Sequence, residues 1–110
     1  TVHEFRWWLL GVNLLTAVVM GAVALPMIRR RVPMNYVYGA RFPKAFKSDD
    51  LWYRINEHAG RVIMRWSVVI AVLTLVGLFV SDPRVLTALA CAPMLYLVGC
   101  LESYLYARKL

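Results

Sequence analysis

The sequence predicts an all-α integral membrane protein with three transmembrane helices, a basic cytoplasmic loop and an interfacial amphipathic helix between the first two. The chain has 110 residues, 61% of them hydrophobic, and a mean hydropathy of +0.59. A soluble domain of this size cannot bury so much apolar surface. Three apolar runs each approach the roughly 20 residues that cross a bilayer. These runs do not alternate as barrel strands do, which leaves helices as the spanning structure.

The predicted spans cover about residues 7–28, 62–80 and 85–107 within a single membrane domain, 1–110. In the first span, Ala17 and Gly21 have a spacing that lets another helix approach closely. Before the third span, Asp82 is expected to be the N-cap, with Pro83 at the first helical position. Pro93 lies inside that span and predicts a kink.

Residues 29–61 form a polar insert between the first and second spans. Asn35, Tyr38 and Gly39 are expected to shape a tight turn, with Asn35 and Gly39 at positions of positive φ. Ser48 is the expected N-cap of an amphipathic helix that starts at residue 49. That helix either lies on the membrane surface and turns into the second span at Gly60, or continues straight into it.

The distribution of positive charge predicts the orientation in the membrane. The formal net charge is +7, with 13 lysines and arginines. Eleven of the 13 lie in or beside the insert or after the third span, and only Arg6 and Arg84 lie at the other end. The positive-inside rule therefore predicts the N-terminus outside, with the insert and the C-terminus in the cytoplasm.

The insert contains the residue types of a catalytic triad, but their spacing excludes one. Ser48 and His58 are separated by about 15 Å of helical rise, whereas a nucleophile and its base must lie within hydrogen-bonding distance. Asp49 is explained by the helix start. Cys91 and Cys100 face opposite sides of one predicted helix, and no residues have metal-ligand spacing. We therefore expect no enzyme activity, no cofactor and no metal site.

Aromatic and basic residues alternate along the insert, as in some nucleic-acid-binding segments. Beside three membrane spans, this composition instead favours contact with anionic lipid, and the arginine run at 29–31 is expected at headgroup level. We expect no direct binding of nucleic acid. One acidic residue, Glu102, is predicted inside the third span, where it is either tethered to an arginine of the basic insert near the interface or part of a transport or proton-movement function.

The insert also resembles a known family in fourteen positions that occur in the same order. These positions are Pro33, Met34, Asn35, Tyr38, Gly39, Arg41, Pro43, Lys47, Ser48, Trp52, Asn56, Ala59, Gly60 and Arg61. They are similar to the motif of the SdpI family, which consists of small integral membrane proteins of bacteria. The resemblance covers the insert well and the flanking spans by layout.

The resemblance implies a non-enzymatic binding protein of the bacterial cytoplasmic membrane. The founding member of the family is an immunity protein against a secreted peptide toxin, and it is also credited with holding a transcriptional repressor at the membrane. The implied partners are therefore a membrane-active peptide toxin, a regulator or another membrane protein. An accessory subunit of a larger membrane complex is the alternative, and oligomers fit either role. A transporter or membrane enzyme would depend on Glu102.

The residue types suggest duties for the motif positions. Arg41 and Lys47 are expected to meet phosphates or an acidic partner. Trp52 and Asn56 share one helix face at i, i+4 spacing. Arg61 is expected to anchor the start of the second span.

Overall fold

A computed structural model describes residues 2–110, with side chains from Glu4 onward, and these residues form helices without any strand. Four α-helices occur in the order α1 (Val2–Ile28), α2 (Asp49–Val76), α3 (Pro83–Ala90) and α4 (Leu95–Lys109). Short 3-10 helices cover Pro43–Lys47, Gly77–Phe79 and Ala92–Met94. Three helical stretches are long and apolar enough to cross a membrane: Glu4–Ile28, Asp49–Phe79 and Pro83–Lys109. The all-helical, three-span prediction is confirmed at this level.

The amphipathic helix and the second span form one continuous helix, α2, so the straight continuation is the observed one of the two alternatives that the sequence left open. The helix passes through Gly60 without a turn. Its 28 residues rise about 42 Å, which exceeds the roughly 30 Å of hydrocarbon in a bilayer. The first turns of α2 are therefore available to support the insert.

At Gly60, α2 lies in close contact with α1. A Cβ atom on Gly60 would lie 3.0 Å from the carbonyl oxygen of Ala24 and 2.9 Å from the side chain of Ile28. Gly21, which the sequence suggested for this role, has room to spare, because a Cβ there would lie 3.7 Å from the sulfur of Met64. The small residue at this close contact thus lies on α2, whereas Ala17 of the predicted pair packs with Ile70 of α2 elsewhere along α1.

The third span is interrupted at Pro93, as predicted, by the 3-10 helix Ala92–Met94. Proline has no backbone N–H, so it cannot bond to the carbonyl four residues before it, that of Leu89. The side-chain amide of Asn13 on α1 donates to this carbonyl over 2.9 Å. Asn13 is 2% exposed. A buried hydrogen bond from the first span therefore satisfies the carbonyl that the break in the third span leaves without its helical partner.

Side-chain caps fix two of the helix starts as the sequence predicted. Ser48 accepts a hydrogen bond from the backbone N–H of Leu51 over 3.1 Å at the start of α2. Asp82 accepts one from the N–H of Arg84 over 2.9 Å at the start of α3. Both caps satisfy N–H groups that the helix itself leaves unpaired.

The buried core lies in two places along the molecule. Between the spans, Ala17, Ile70 and Ala92 pack together, and the hydroxyls of Ser67 and Tyr96 bond over 2.7 Å. At the insert end, the second core consists of Ala45, Trp52, Ile55 and Ala107, covered by apolar side chains of the insert. We call this second part, residues 29–61 with residues 104–110, the head.

Candidate functional site

The insert folds around the side chain of Asn35. The Asn35 carbonyl oxygen accepts from the backbone N–H groups of Val37 (2.8 Å) and Tyr38 (2.5 Å), and its amide donates to the carbonyl of Pro33 over 2.8 Å. This side chain replaces a backbone turn, a common role of asparagine. The expected positive φ at Asn35 is wrong, because its side chain makes the turn without it.

Two further turn residues attach the insert to the helices. The hydroxyl of Tyr38 donates to the carbonyl of Val23 on α1. Gly39 has φ of +111°, a conformation that favours glycine and that confirms the turn predicted there. A Cβ at Gly39 would overlap the side-chain oxygen of Asn56 and lie 3.3 Å from Trp52. The backbone therefore passes directly over these two side chains.

Trp52 and Asn56 hold the insert against α2. The indole N–H of Trp52 donates to the carbonyl of Val32 over 2.8 Å. The oxygen of Asn56 accepts from the N–H of Ala40 over 2.7 Å, and its amide donates to the carbonyl of Trp52 over 2.9 Å. Trp52 is 0% exposed and Asn56 1%. The shared helix face predicted for them faces the insert.

The remaining motif residues occupy helix ends and junctions. Pro43 begins the 3-10 helix that Lys47 ends, and Ser48 is the cap of α2. Arg41 donates to the carbonyl of Tyr36 over 2.6 Å while remaining exposed. The family motif thus builds the head, whereas direct ligand contact by its residues stays a prediction.

The head carries a pocket of about 460 Å³ that sequence reasoning did not identify as a site. Its lining brings together four polar side chains of α2, one residue after α1 and two residues at the end of the chain: Arg54, Glu57, His58, Arg61, Arg30, Tyr106 and Leu110. Helical periodicity places Arg54, Glu57 and Arg61 toward one face, but no pattern in the sequence indicates that Arg30 and Tyr106 join them.

Glu57 lies between two arginines in this pocket. Its carboxylate accepts from Nε and Nη2 of Arg30 over 3.0 and 2.9 Å, and from Arg61 over 3.2 Å. Arg54 is paired with Asp50 over 3.2 Å, and both side chains are about half-exposed or more. An exposed pair of this kind contributes little stability, so the guanidinium of Arg54 is available to other anions.

Arg30 adopts a backbone conformation that usually belongs to glycine. Its φ is +56°. The N–H of Arg30 donates to the carbonyl of Met27 over 3.2 Å, and that of Arg31 to Pro26 over 2.9 Å. These two bonds form a Schellman motif at the end of α1, in which the left-handed residue is most often glycine. An arginine in this left-handed conformation raises the conformational energy of the backbone. Its side chain extends to Glu57.

One wall of the pocket is a pair of stacked rings. The rings of His58 and Tyr106 are 3.8 Å apart and nearly parallel. The Nδ1 atom of His58 is buried and has no hydrogen-bond partner among the described residues. Buried polar atoms without a protein partner usually bond to water or a ligand.

Glu102 is tethered to an arginine, but this arginine lies on α2 beyond the insert and not in the insert as expected. Its carboxylate pairs with Arg65 and accepts from the indole N–H of Trp66 over 2.8 Å. Gly99 lies beside the same indole, since a Cβ there would be 2.9 Å from Trp66. Within residues 4–110, no three histidine, cysteine or acidic side chains are grouped to hold a metal ion.

A second cavity of about 390 Å³ lies under the insert, between α1, α2 and α4. Its lining is mostly apolar, with Met27, Ala59 and Ile63 from the helices and Phe42 from the insert. Arg41 is the charged residue of this lining.

Comparison with protein families gives one match: the model of the SdpI/YfhL protein family covers residues 31–101. The matched range begins in the arginine run after α1 and ends one residue before Glu102, so it contains the whole motif. No curated protein and no solved structure matches the chain.

Proposed function

The chain belongs to the SdpI/YfhL protein family, a family of immunity-type membrane proteins, and we propose that it protects a bacterial cell from a membrane-active peptide toxin without enzymatic chemistry. The observation that carries the proposal is the family match over residues 31–101. The three apolar helical stretches support a multi-pass membrane location.

The proposed location is the cytoplasmic membrane, with the head on the cytoplasmic side. Eleven of the 13 lysines and arginines lie at the head end or just beside it, as the positive-inside rule requires. Arg6 donates to the carbonyl of Val80 over 2.5 Å, so it belongs to the opposite end, together with Arg84. The cytoplasmic head would then lie beneath the bilayer, and the protein would bind the toxin inside the bilayer.

The exposed apolar face of α4 is the proposed toxin-binding surface. Leu97 and Leu101 are 64% and 57% exposed and lie one helical turn apart. Both fall inside the family match, whereas the similar face of α1, with Leu15 66% and Val19 49% exposed, lies outside it. A peptide that inserts into the bilayer meets such faces directly. The family match therefore favours α4 over α1.

Expression in cells sensitive to each peptide toxin that neighbouring genes encode tests the proposal. The wild-type chain is expected to restore growth. Replacing Leu97 and Leu101 with alanine is expected to remove protection, while the matched pair Leu15→Ala and Val19→Ala keeps it. Unchanged killing of cells that express the wild-type chain in the membrane would refute the immunity role.

Sequestration of a regulator at the head is a second candidate, favoured by the exposed charged side chains around Glu57. Arg54 and Arg61 have 48% and 65% exposed side chains. A regulator held there is expected to move from membrane to soluble fractions when these two arginines become glutamine. Toxin protection through α4 would persist in that variant.

A further inference from the structure

We infer that the pocket around Glu57 binds an anionic phosphate group, supplied by a phospholipid headgroup at the membrane surface. The inference does not depend on toxin protection, because it rests on the pocket alone. The side chains that line the pocket include three arginines and one carboxylate, so they carry a net charge of 3 − 1 = +2. A pocket with this excess of positive charge attracts anions.

The arginines are held in place before any ligand arrives. Glu57 bonds to Arg30 and Arg61 through different carboxylate oxygens. The Arg30 and Arg61 side chains nevertheless stay 49% and 65% exposed. The guanidinium group has five N–H donors, so donors remain for a ligand after Glu57 is satisfied. Fixed, planar donors of this kind match the oxygens of a phosphate.

The backbone conformation of Arg30 is the most specific indication of a ligand site. At the left-handed position of a Schellman motif, glycine would relieve the strain. The chain instead has an arginine with φ of +56°, and its side chain lines the pocket. Residues kept in unfavourable backbone conformations are concentrated at functional sites.

The pocket lies where lipid phosphates are expected. Arg30 follows the last residue of α1 by two positions, and Arg61 follows Gly60, which packs against Ile28 at the end of the first span. A basic pocket at the cytoplasmic end of membrane helices is a typical site for anionic headgroups. The buried Nδ1 atom of His58 adds a polar group that the described residues leave without a partner.

Native mass spectrometry of the full chain in mild detergent tests the inference. The probes are phosphatidylglycerol and phosphatidylcholine with identical acyl chains. The wild-type protein is expected to retain phosphatidylglycerol preferentially. Arg54→Gln with Arg61→Gln is expected to weaken this retention about fivefold per arginine removed.

The matched control removes two exposed arginines of the same end that do not line the pocket, Arg31→Gln and Arg108→Gln. This control is expected to keep its phosphatidylglycerol. Equal loss in both double variants would mean general charge attraction and would overturn the site, as would equal retention of the two lipids by the wild-type protein.

Arg30→Gly separates binding from folding. Because glycine suits the backbone there, the melting temperature is expected to stay level or rise while phosphatidylglycerol retention falls about fivefold. Unchanged retention in this variant would overturn the role of Arg30 in the site.

Two soluble probes distinguish the source of the anion. If inorganic phosphate raises the melting temperature of the wild-type protein but not of the Arg54 and Arg61 double variant, the pocket binds phosphate groups as inferred. If, in addition, all variants retain as much phosphatidylglycerol as the wild-type protein, the bound anion is free phosphate and not a lipid headgroup. If tetraglutamate stabilises the protein and neither phosphate probe does, the inference is wrong and the pocket accepts an acidic protein segment.

Discussion

Two buried asparagines, Asn13 and Asn56, stabilise the fold by bonding to backbone groups that no helix satisfies. Asn13 bonds to the carbonyl of Leu89 beside the break at Pro93. Asn56 bonds to the N–H of Ala40 in the insert. A buried backbone group without a partner costs about 1–3 kcal/mol, so each side chain secures an irregular segment.

Asn13→Ala is expected to destabilise the protein by about 1 kcal/mol, the usual scale for an interhelical hydrogen bond in a membrane. In a Pro93→Ala background the loss should be smaller, because the new N–H at residue 93 can bond to Leu89. The measurement is a double-mutant cycle, in which the wild-type protein, the two single variants and the double variant are unfolded in a detergent titration. Equal losses in the two backgrounds would contradict the proposed compensation.

Asn56→Ala is expected to open the insert, because Ala40 loses its partner and Gly39 loses the side chain that it covers. The measurement is limited trypsin digestion in detergent, with faster cleavage expected after Lys44 and Lys47. Ser67→Ala is the control, since it removes a hydrogen bond between α2 and α4 away from the head. Similar digestion of both variants would show that Asn56 does not hold the insert.

At the scale of the elements, the path of α2 depends on its contact with α1. At Gly60 the helix has no side chain, so its backbone can approach Ala24 and Ile28 of α1. The same helix has a polar first half and an apolar second half, so it joins the head to the membrane region. Because the third span is broken at Pro93, α3 packs against α1 while α4 packs against α2.

Gly60→Ala is expected to cost about 1–3 kcal/mol, the usual range for overpacking, because backbone atoms of α1 must shift. Gly11→Ala is the matched control. No atom lies within 4 Å of a Cβ at Gly11, and alanine favours helix over glycine by about 1 kcal/mol. Unfolding in detergent should therefore show a lower free energy of unfolding for Gly60→Ala, and an unchanged or higher one for Gly11→Ala. The opposite order would refute the close contact.

At the scale of the whole molecule, the two ends differ in charge and in structure. The head has its own apolar core and most of the cations. The other end has the turn around Asp82 and the bond from Arg6 to Val80. This asymmetry supports the orientation that we propose.

Single-cysteine labelling is expected to establish that orientation. With Cys91 and Cys100 replaced by serine, Ser81→Cys should react with a membrane-impermeant maleimide in spheroplasts. Lys47→Cys in the head should react only after permeabilisation. Both positions are exposed in the structure, so a reversed pattern would mean that the head faces outward.

The sequence by itself determined the features that depend on neighbouring residues. Apolar length defined three spans, and cap chemistry located the starts of α2 at Ser48 and of α3 at Asp82. The break at Pro93 follows from a missing N–H. The order of motif residues was enough to indicate the family that the match over residues 31–101 confirms.

Only the tertiary structure decided what distant residues do together. Helical periodicity left open whether α2 would turn at Gly60, because the answer depends on the surface of α1. It placed Arg54, Glu57 and Arg61 toward the polar side of α2, but could not bring Arg30 to Glu57. Periodicity describes one helix at a time, whereas a pocket and a close helix contact need two or more. The phosphate-binding pocket that we infer is therefore a product of the fold.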